Sequence, residues 1–466
     1  MSNNYATPTA ATTALFGILA LLWGCHSTDA FQLDGHVTDE AGCANAIPVV
    51  WNDNVFQHDG TVDGLTDAAF FNVPVMSAGS WLLVDTFNDQ IVGPTFDPVV
   101  SILNATGTQR LAMVDRVALW QSEDPHFHYH LADTQSLCIK IESFSRWTHS
   151  YAAAQMPDAP LAYSFQLSLN PDKDTIYEPE TDVVAENPFT DSTPLTLSAS
   201  EDNPDAGYHW LHGVLNTAQD ADVYSFTSLN METITDIFVN GETGIGDPYG
   251  GVSGIGTTAQ ITLQLIDADE TIVAELSPDR IKPVLSAVLA PNSRYYIRVT
   301  GAPDWMPGQN NFYNLYLASE SVQNFDMETA SDNNTLDNAT KVNLTAGESG
   351  SYSGIVIGTL ETETDVDVFQ IALTPGQMFM LQCLGASSGS GLQNLTVGTF
   401  EANGTRVRAD IEKNTPIEWS TGPNSTRGPL WADDYEDLYL RISGDYRRSP
   451  LSRFYQCYIL VMDEAY

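Results

Sequence analysis

Positive charge is scarce in this chain. Its 466 residues include 18 lysines and arginines against 60 aspartates and glutamates, a formal net charge of −42. Binding nucleic acid needs a basic footprint that displaces counterions from phosphates, so nucleic acid is excluded as a partner, and an anionic membrane surface with it. Long apolar runs are equally scarce. The one that stands out, Ala14 to Gly24, has the length of a signal-peptide core and is too short to span a bilayer. No stretch carries a convincing helical period, which argues against an α or α/β fold. The sequence has no HExxH, P-loop, dinucleotide fingerprint or CxxC spacing. Gly385 to Gly389 reads G-x-S-x-G. A nucleophile elbow, however, needs a strand before that string and a helix after it, and here it lies in a Gly/Ser-rich loop. An enzyme is not expected.

Cysteine is also rare, with five in all. Cys25 ends the apolar run in the string Leu-Trp-Gly-Cys, which resembles a bacterial lipobox, where the cysteine becomes the lipidated first residue. No lysine or arginine precedes the run, and Thr28-Asp29-Ala30 offers an ordinary signal peptidase site, so lipidation and simple secretion are both readings of residues 1–30. The other four fall in pairs, Cys43 with Cys138 and Cys383 with Cys457. An even count in an exported chain favours disulfides over buried thiols.

What the chain does have is one pattern written three times. Gly60 to Val73, Gly213 to Phe226 and Gly358 to Ile371 each open on glycine. Each then carries an apolar residue two places on (Val62, Leu215, Leu360), an aspartate at a fixed offset (Asp67, Asp220, Asp365) and an aromatic four later (Phe71, Tyr224, Phe369). Three further blocks recur in the same order. They are an apolar strand ending in a tight turn (to Thr108, Thr271 and Thr405), an alternating strand around a basic residue (Lys140, Arg298, Arg441), and a closing strand from Tyr163, Tyr313 or Tyr455. Spacing of two puts the apolar residues on one face of a strand. Gly, Pro, Asn and Asp clusters between the strands read as turns. The expectation is an all-β protein of three tandem jelly-roll-like β-sandwiches: a leader at 1–30, sandwiches at 31–170, 183–320 and 335–466, and acidic linkers at 171–182 and 321–334.

The motifs Asp220-Ala-Asp222-Val-Tyr224 and Asp365-Val-Asp367-Val-Phe369, the L-x-L-x-D/E-A turn, Tyr-Tyr-Ile-Arg-Val from Tyr295 and Tyr-Asn-Leu-Tyr-Leu from Tyr313 resemble the bacterial pre-peptidase C-terminal domain. These are small β-sandwiches appended to secreted proteases, among them the collagen-binding modules of clostridial collagenases. The first copy departs from the pattern, with Ala69 where the second aspartate belongs. The resemblance implies a Ca²⁺ site formed by an acidic linker and sandwich aspartates. Carried over by position, its ligands are Glu178, Glu180 and Asp182 with Asp220 and Asp222, and Asp332, Asn333 and Asn334 with Asp365 and Asp367. Read from the residues alone, the same segments are solvated acidic linkers.

Two other features merit attention. His126, His128 and His130 share one face of a strand whose other face carries Phe127, Tyr129 and Leu131, and the alternation points the histidines to solvent; two histidines at this spacing can also share a metal. Tyr208, Trp210, Trp305 with Met306, and Trp431 fall outside the repeat and suit a ligand platform or ordinary packing. With almost nothing left for a catalytic domain, the sequence points to an exported, lipid-anchored, non-enzymatic surface protein acting in adhesion, matrix structure or binding of an extracellular polymer. An accessory protein that brings a separate hydrolase to protein or polysaccharide is the alternative. Other surface proteins are further candidate partners, and membrane contact is expected only through the anchor.

Overall fold

The computed structural model describes residues 39–462, excluding 115–123, 144–159, 178–188, 241–256, 277–283, 303–310, 405–417, 422–429, 432–436 and shorter stretches between the strands. Its strands form three pairs of sheets with one connectivity. In the first pair, the order Ile47–Pro48, Ala68–Met76, Gln135–Ser143, Pro98–Asn104, Arg110–Val114 faces Val55–Val62, Leu161–Leu169, Trp81–Thr86, His126–His130. The second pair repeats both orders with Ala221–Thr227, Arg294–Gly301, Ile261–Asp267, Ile272–Leu276 and with Ala206–Val214, Phe312–Ser321, Thr233–Asn240, Val284–Leu289. The third does so with Asp367–Ala372, Asp437–Tyr446, Leu392–Phe400, Glu418–Thr421 and with Ser351–Thr359, Phe454–Met462, Met378–Leu384, Leu430–Trp431. The protein is all-β, three tandem sandwiches.

The segments read as linkers also carry sheet structure. Thr175–Tyr177 pairs parallel to Ala206–Val214 of the second sandwich, and Asp326–Met327 pairs parallel to Ser351–Thr359 of the third. Each covers a sheet edge that would otherwise present unpaired N–H and C=O groups.

Alternation along the strands fills three cores. Phe71, Ile139 and Tyr163 belong to the first, Tyr224, Ile297 and Tyr313 to the second, and Phe369, Leu440 and Tyr455 to the third. Burying each such side chain contributes roughly 1.5–3 kcal/mol. The repeated glycine and the repeated closing tyrosine prove to be partners. Gly60 lies opposite Tyr163, Gly213 opposite Tyr313 and Gly358 opposite Tyr455, and in each pair the tyrosine ring occupies the space a Cβ would need. The first repeated aspartate caps its own turn. One oxygen accepts the N–H four residues back (Asp63, Asn216, Glu361) and the other accepts the next N–H (Ala68, Ala221, Val366). The second aspartate is buried and accepts the tyrosine hydroxyl: Tyr313 donates to Asp222 at 2.6 Å, and Tyr455 donates to Asp367.

Both cysteine pairs are disulfides. Cys43–Cys138 ties the short helix Glu40–Ala44 to the strand Gln135–Ser143, and Cys383–Cys457 joins directly opposed residues of neighbouring strands. Disulfides are the chemistry of an oxidising compartment.

The sandwiches also pack on one another. Phe312 of the second sandwich enters the core cluster of the first. Ile234 of the second packs with Ile357 and Phe454 of the third, flanked by Val288, Phe325 and Ile355.

Candidate functional site

The outer face of the middle sandwich sits between these two junctions. Along Ala206–Val214 the core takes Leu211, so Tyr208, Trp210 and His212 point outward. Along Phe312–Ser321 the core takes Tyr313, Leu315 and Leu317, leaving Phe312, Asn314, Tyr316, Ala318 and Glu320 outside. Along Thr233–Asn240 it takes Ile237 and Val239, leaving Ile234, Asp236 and Phe238. Register then aligns an aromatic row across three strands, with Trp210 opposite Tyr316 and Tyr316 opposite Phe238. Ring centroids are 4.5 Å apart for Trp210–Tyr316, 6.0 Å for Phe238–Tyr316 and 6.4 Å for Tyr208–Tyr316. Tyr208, Trp210 and Phe238 are half-buried, whereas Tyr316 forms the buried floor.

In the next row Asp236 lies opposite Ser286 on one side and Ala318 on the other, with Glu320 one step further along. Removal from water pushes the Asp236 carboxyl up to about 6; Ser286 opposes that rise and the charge of Glu320 adds to it. The face therefore combines aromatic surface with two acidic groups.

One side of the row is walled by the first sandwich, and here the structure corrects the expectation of a solvent-facing histidine strand. The three histidines do point away from their own core, paired across the sheet with Asp85, Leu83 and Trp81. The second sandwich covers them. His128 is 1% exposed and His130 is 7%. The His128 and His212 rings lie 3.8 Å apart, His126 lies 4.8 Å from Trp210, and Trp81 contacts His130, His212 and Phe312. Asn314 bridges the junction: its amide donates to the His128 carbonyl at 2.8 Å, and its Oδ1 accepts from His212 Nδ1. Since Asn314 Oδ1 has no proton to give, His212 carries its proton on Nδ1. Burial pulls the imidazoles of His128, His130 and His212 down. His128 falls well below 6.5, with His212 and His126 adding to the effect, His130 drops to about 4 and His212 to about 3. His126 Nδ1 sits 3.0 Å from Asp85 Oδ1.

Of the remaining sequence candidates, Asn333 and Asn334 lie against the segment that carries Asp365 and Asp367. Glu178, Glu180, Asp182, Asp332, Cys25, Trp305 and Met306 lie outside the described residues, as do the side chain of Trp431 and the middle of the Gly385 to Gly389 string. Gly389 itself accepts a backbone hydrogen bond from Glu275 of the second sandwich. Asp220 and Asp365 direct both carboxylate oxygens at backbone N–H groups, and Asp222 and Asp367 face buried tyrosines, as described above. Asn334 Oδ1 accepts from Val366 N–H. Asn333 is 3% exposed, its carbonyl accepts from Val368 N–H, and neither atom of its side-chain amide has a hydrogen-bond partner among the described residues. Among those residues no cluster of three or more histidine, cysteine or carboxylate side chains is placed to hold a metal ion. Tyr316 and Phe238 carried no sequence signal, because they become a platform only through pairing of strands distant in the chain.

No known protein family matches this sequence, and no curated protein does. Solved structures with similarity to it include PliG of Aeromonas hydrophila, a periplasmic inhibitor of g-type lysozyme (14% identity over 27% of this chain and 95% of that one, TM-score 0.20). Another is the CUB1-EGF-CUB2 region of human MASP-1/3 (10% identity, 54% and 98%, TM-score 0.16). A third is the M60 catalytic domain of Clostridium perfringens ZmpB with its CBM51-1 and CBM51-2 domains (7% identity, 88% and 55%, TM-score 0.16).

Proposed function

We propose that this protein is an exported, non-enzymatic surface protein that binds an extracellular polymer on the outer face of its middle sandwich. The observation that carries the reading is the row Trp210–Tyr316–Phe238, aligned by register on a sheet face, with half-buried Trp210 and Phe238 flanking the buried ring of Tyr316. Aromatic faces that remain accessible to water suit the apolar faces of sugar rings or the side chains of an extended polypeptide. The charge of −42 repels polyanions and restricts the ligand to neutral or cationic polymers. Lipidation at Cys25 would hold this face at the cell surface.

Calcium belongs to the same reading at the third sandwich. The buried side-chain amide of Asn333, which has no hydrogen-bond partner among the described residues and lies beside the strand that opens at Asp367, supports it, since Ca²⁺ takes amide carbonyl as well as carboxylate oxygens.

The test is retention of the purified chain on chitin, cellulose and collagen fibrils, with alginate as the polyanionic control. Selective retention on one of the first three is expected. Equal recovery in the unbound fraction from all four would overturn the reading.

A further inference from the structure

The first sandwich holds a buried lysine where the other two hold arginine. Lys140 fills the basic position of the repeated strand, occupied by Arg298 and Arg441 in the later copies. Its Nζ lies 3.0 Å from Asp39 Oδ2 and 2.8 Å from Glu142 Oε1. The side chains of Lys140 and Glu142 are buried, at 7% and 4% exposure, and that of Asp39 is partly buried, at 17%. Phe70, directly opposite Lys140 in the ladder, sets its ring 6.0 Å from Nζ.

Asp39 is fixed in place from three sides. Its N–H donates to the Gly107 carbonyl and its own carbonyl accepts from Cys43 N–H. Gly107 stands at φ +72°, and any side chain there would collide with the Asp39 backbone. The Cys43–Cys138 disulfide fastens the same segment to the strand that carries Lys140.

We infer that Lys140 and Asp39 join autocatalytically in an intramolecular isopeptide bond, with Glu142 as the proton shuttle. Glu142 takes a proton from the Lys140 ammonium. The freed nitrogen lone pair attacks Cγ of Asp39, and a tetrahedral centre forms. The C–O bond of one carboxyl oxygen breaks, and that oxygen leaves as water. Both of its protons come from Nζ, relayed in turn by Glu142. Ammonium and carboxylate thus give one amide and one water, with charge and atoms conserved and no oxidant or other reactant needed.

Two features favour this step over a plain ion pair. Reacting groups held about 3–3.5 Å apart in fixed orientation have already lost the entropy that an encounter in solution would cost. Burial of Lys140 and Glu142 limits the water that could hydrolyse the intermediate or the product. The bond would link residues 101 positions apart and close the segment through which the chain enters its first sandwich. Load arriving from the preceding residues would then meet a covalent clasp. The guanidinium groups of Arg298 and Arg441 do not form such amides, so the chemistry is confined to the first copy.

The test is peptide mapping of the reduced and alkylated full chain by tandem mass spectrometry. Expected is a branched species joining the peptides that contain Asp39 and Lys140, lighter by one water, about 18 Da, with no tryptic cleavage after Lys140. Lys140→Arg and Glu142→Gln should each yield the two peptides unlinked while circular dichroism shows the β-fold retained. Recovery of separate, linear wild-type peptides would overturn the bond and leave an ion pair. Complete linkage in Glu142→Gln would overturn the shuttle assigned to Glu142.

Discussion

The Tyr313 hydroxyl donates to the buried carboxylate of Asp222 at 2.6 Å, and the ring that carries it fills the space above Gly213. Tyr224 in turn donates to the Tyr313 oxygen at 2.6 Å, which joins both sheets of the second sandwich through one polar chain. Gly213→Ala should therefore force the ring aside and cost about 1–3 kcal/mol, an overpacking penalty. Tyr313→Phe should cost a similar amount by removing the hydroxyl from a buried carboxylate. Urea denaturation would measure both, and a change below about 0.3 kcal/mol in either would contradict the pairing.

The junction between the first and second sandwiches should fail in acid. His128, His130 and His212 have folded-state pKa values below the ordinary 6.5. As pH falls below about 6.5 the separated form binds protons that the packed form refuses, so stability rises with pH across this window and falls as acid is added. The contribution is lost as pH approaches about 4 for His130 and about 3 for His212. Other groups facing the cluster are His126, His209 and Asp85, and Asp85 is engaged with His126. Small-angle scattering between pH 7 and 4 should show reversible separation of the two units. An unchanged profile at pH 4 would contradict the buried histidine contact.

The two disulfides should stabilise their own sandwiches. Replacing Cys383 and Cys457 by serine should lower stability by about 2–5 kcal/mol, by removing a cross-link that constrains the unfolded chain. Calorimetry of the oxidised and serine forms checks this, and equal melting would show that the bond constrains little.

Calcium should raise the melting temperature of the wild-type chain relative to excess EGTA, because a ligand bound only by the folded state stabilises it. The shift should vanish in Asn333→Ala. Identical wild-type curves in calcium and EGTA would remove calcium from the account.

Much of the fold was legible because three copies share one pattern. Glycine, aspartate and tyrosine recur at fixed offsets, and the structure supplies the reason: the glycine makes room, the first aspartate caps a turn, and the second holds the tyrosine hydroxyl. Ala69 in the first copy removes that hydroxyl partner, and burial, with the charge of Asp67 adding to it, pushes the Tyr163 phenol up to about 12. The alternation of His126, His128 and His130 correctly gave their direction. It could not give their environment, because what covers a strand's outward face is another domain, and that contact leaves no periodicity. Tyr208 and Trp210 stood out by falling outside the repeat. Tyr316 hid inside the repeated closing strand, and Phe238 in an ordinary apolar run. The two join only through register between strands 78 positions apart at the Tyr316–Phe238 pair.

The most direct measurement is the apparent affinity of the wild-type chain and of Trp210→Ala with Phe238→Ala for whichever polymer retains the wild type. Loss of two stacking surfaces should weaken binding about tenfold or more in a variant whose circular dichroism matches that of the wild type. Equal affinity of the folded double variant would contradict the claim that this face of the middle sandwich is the binding surface.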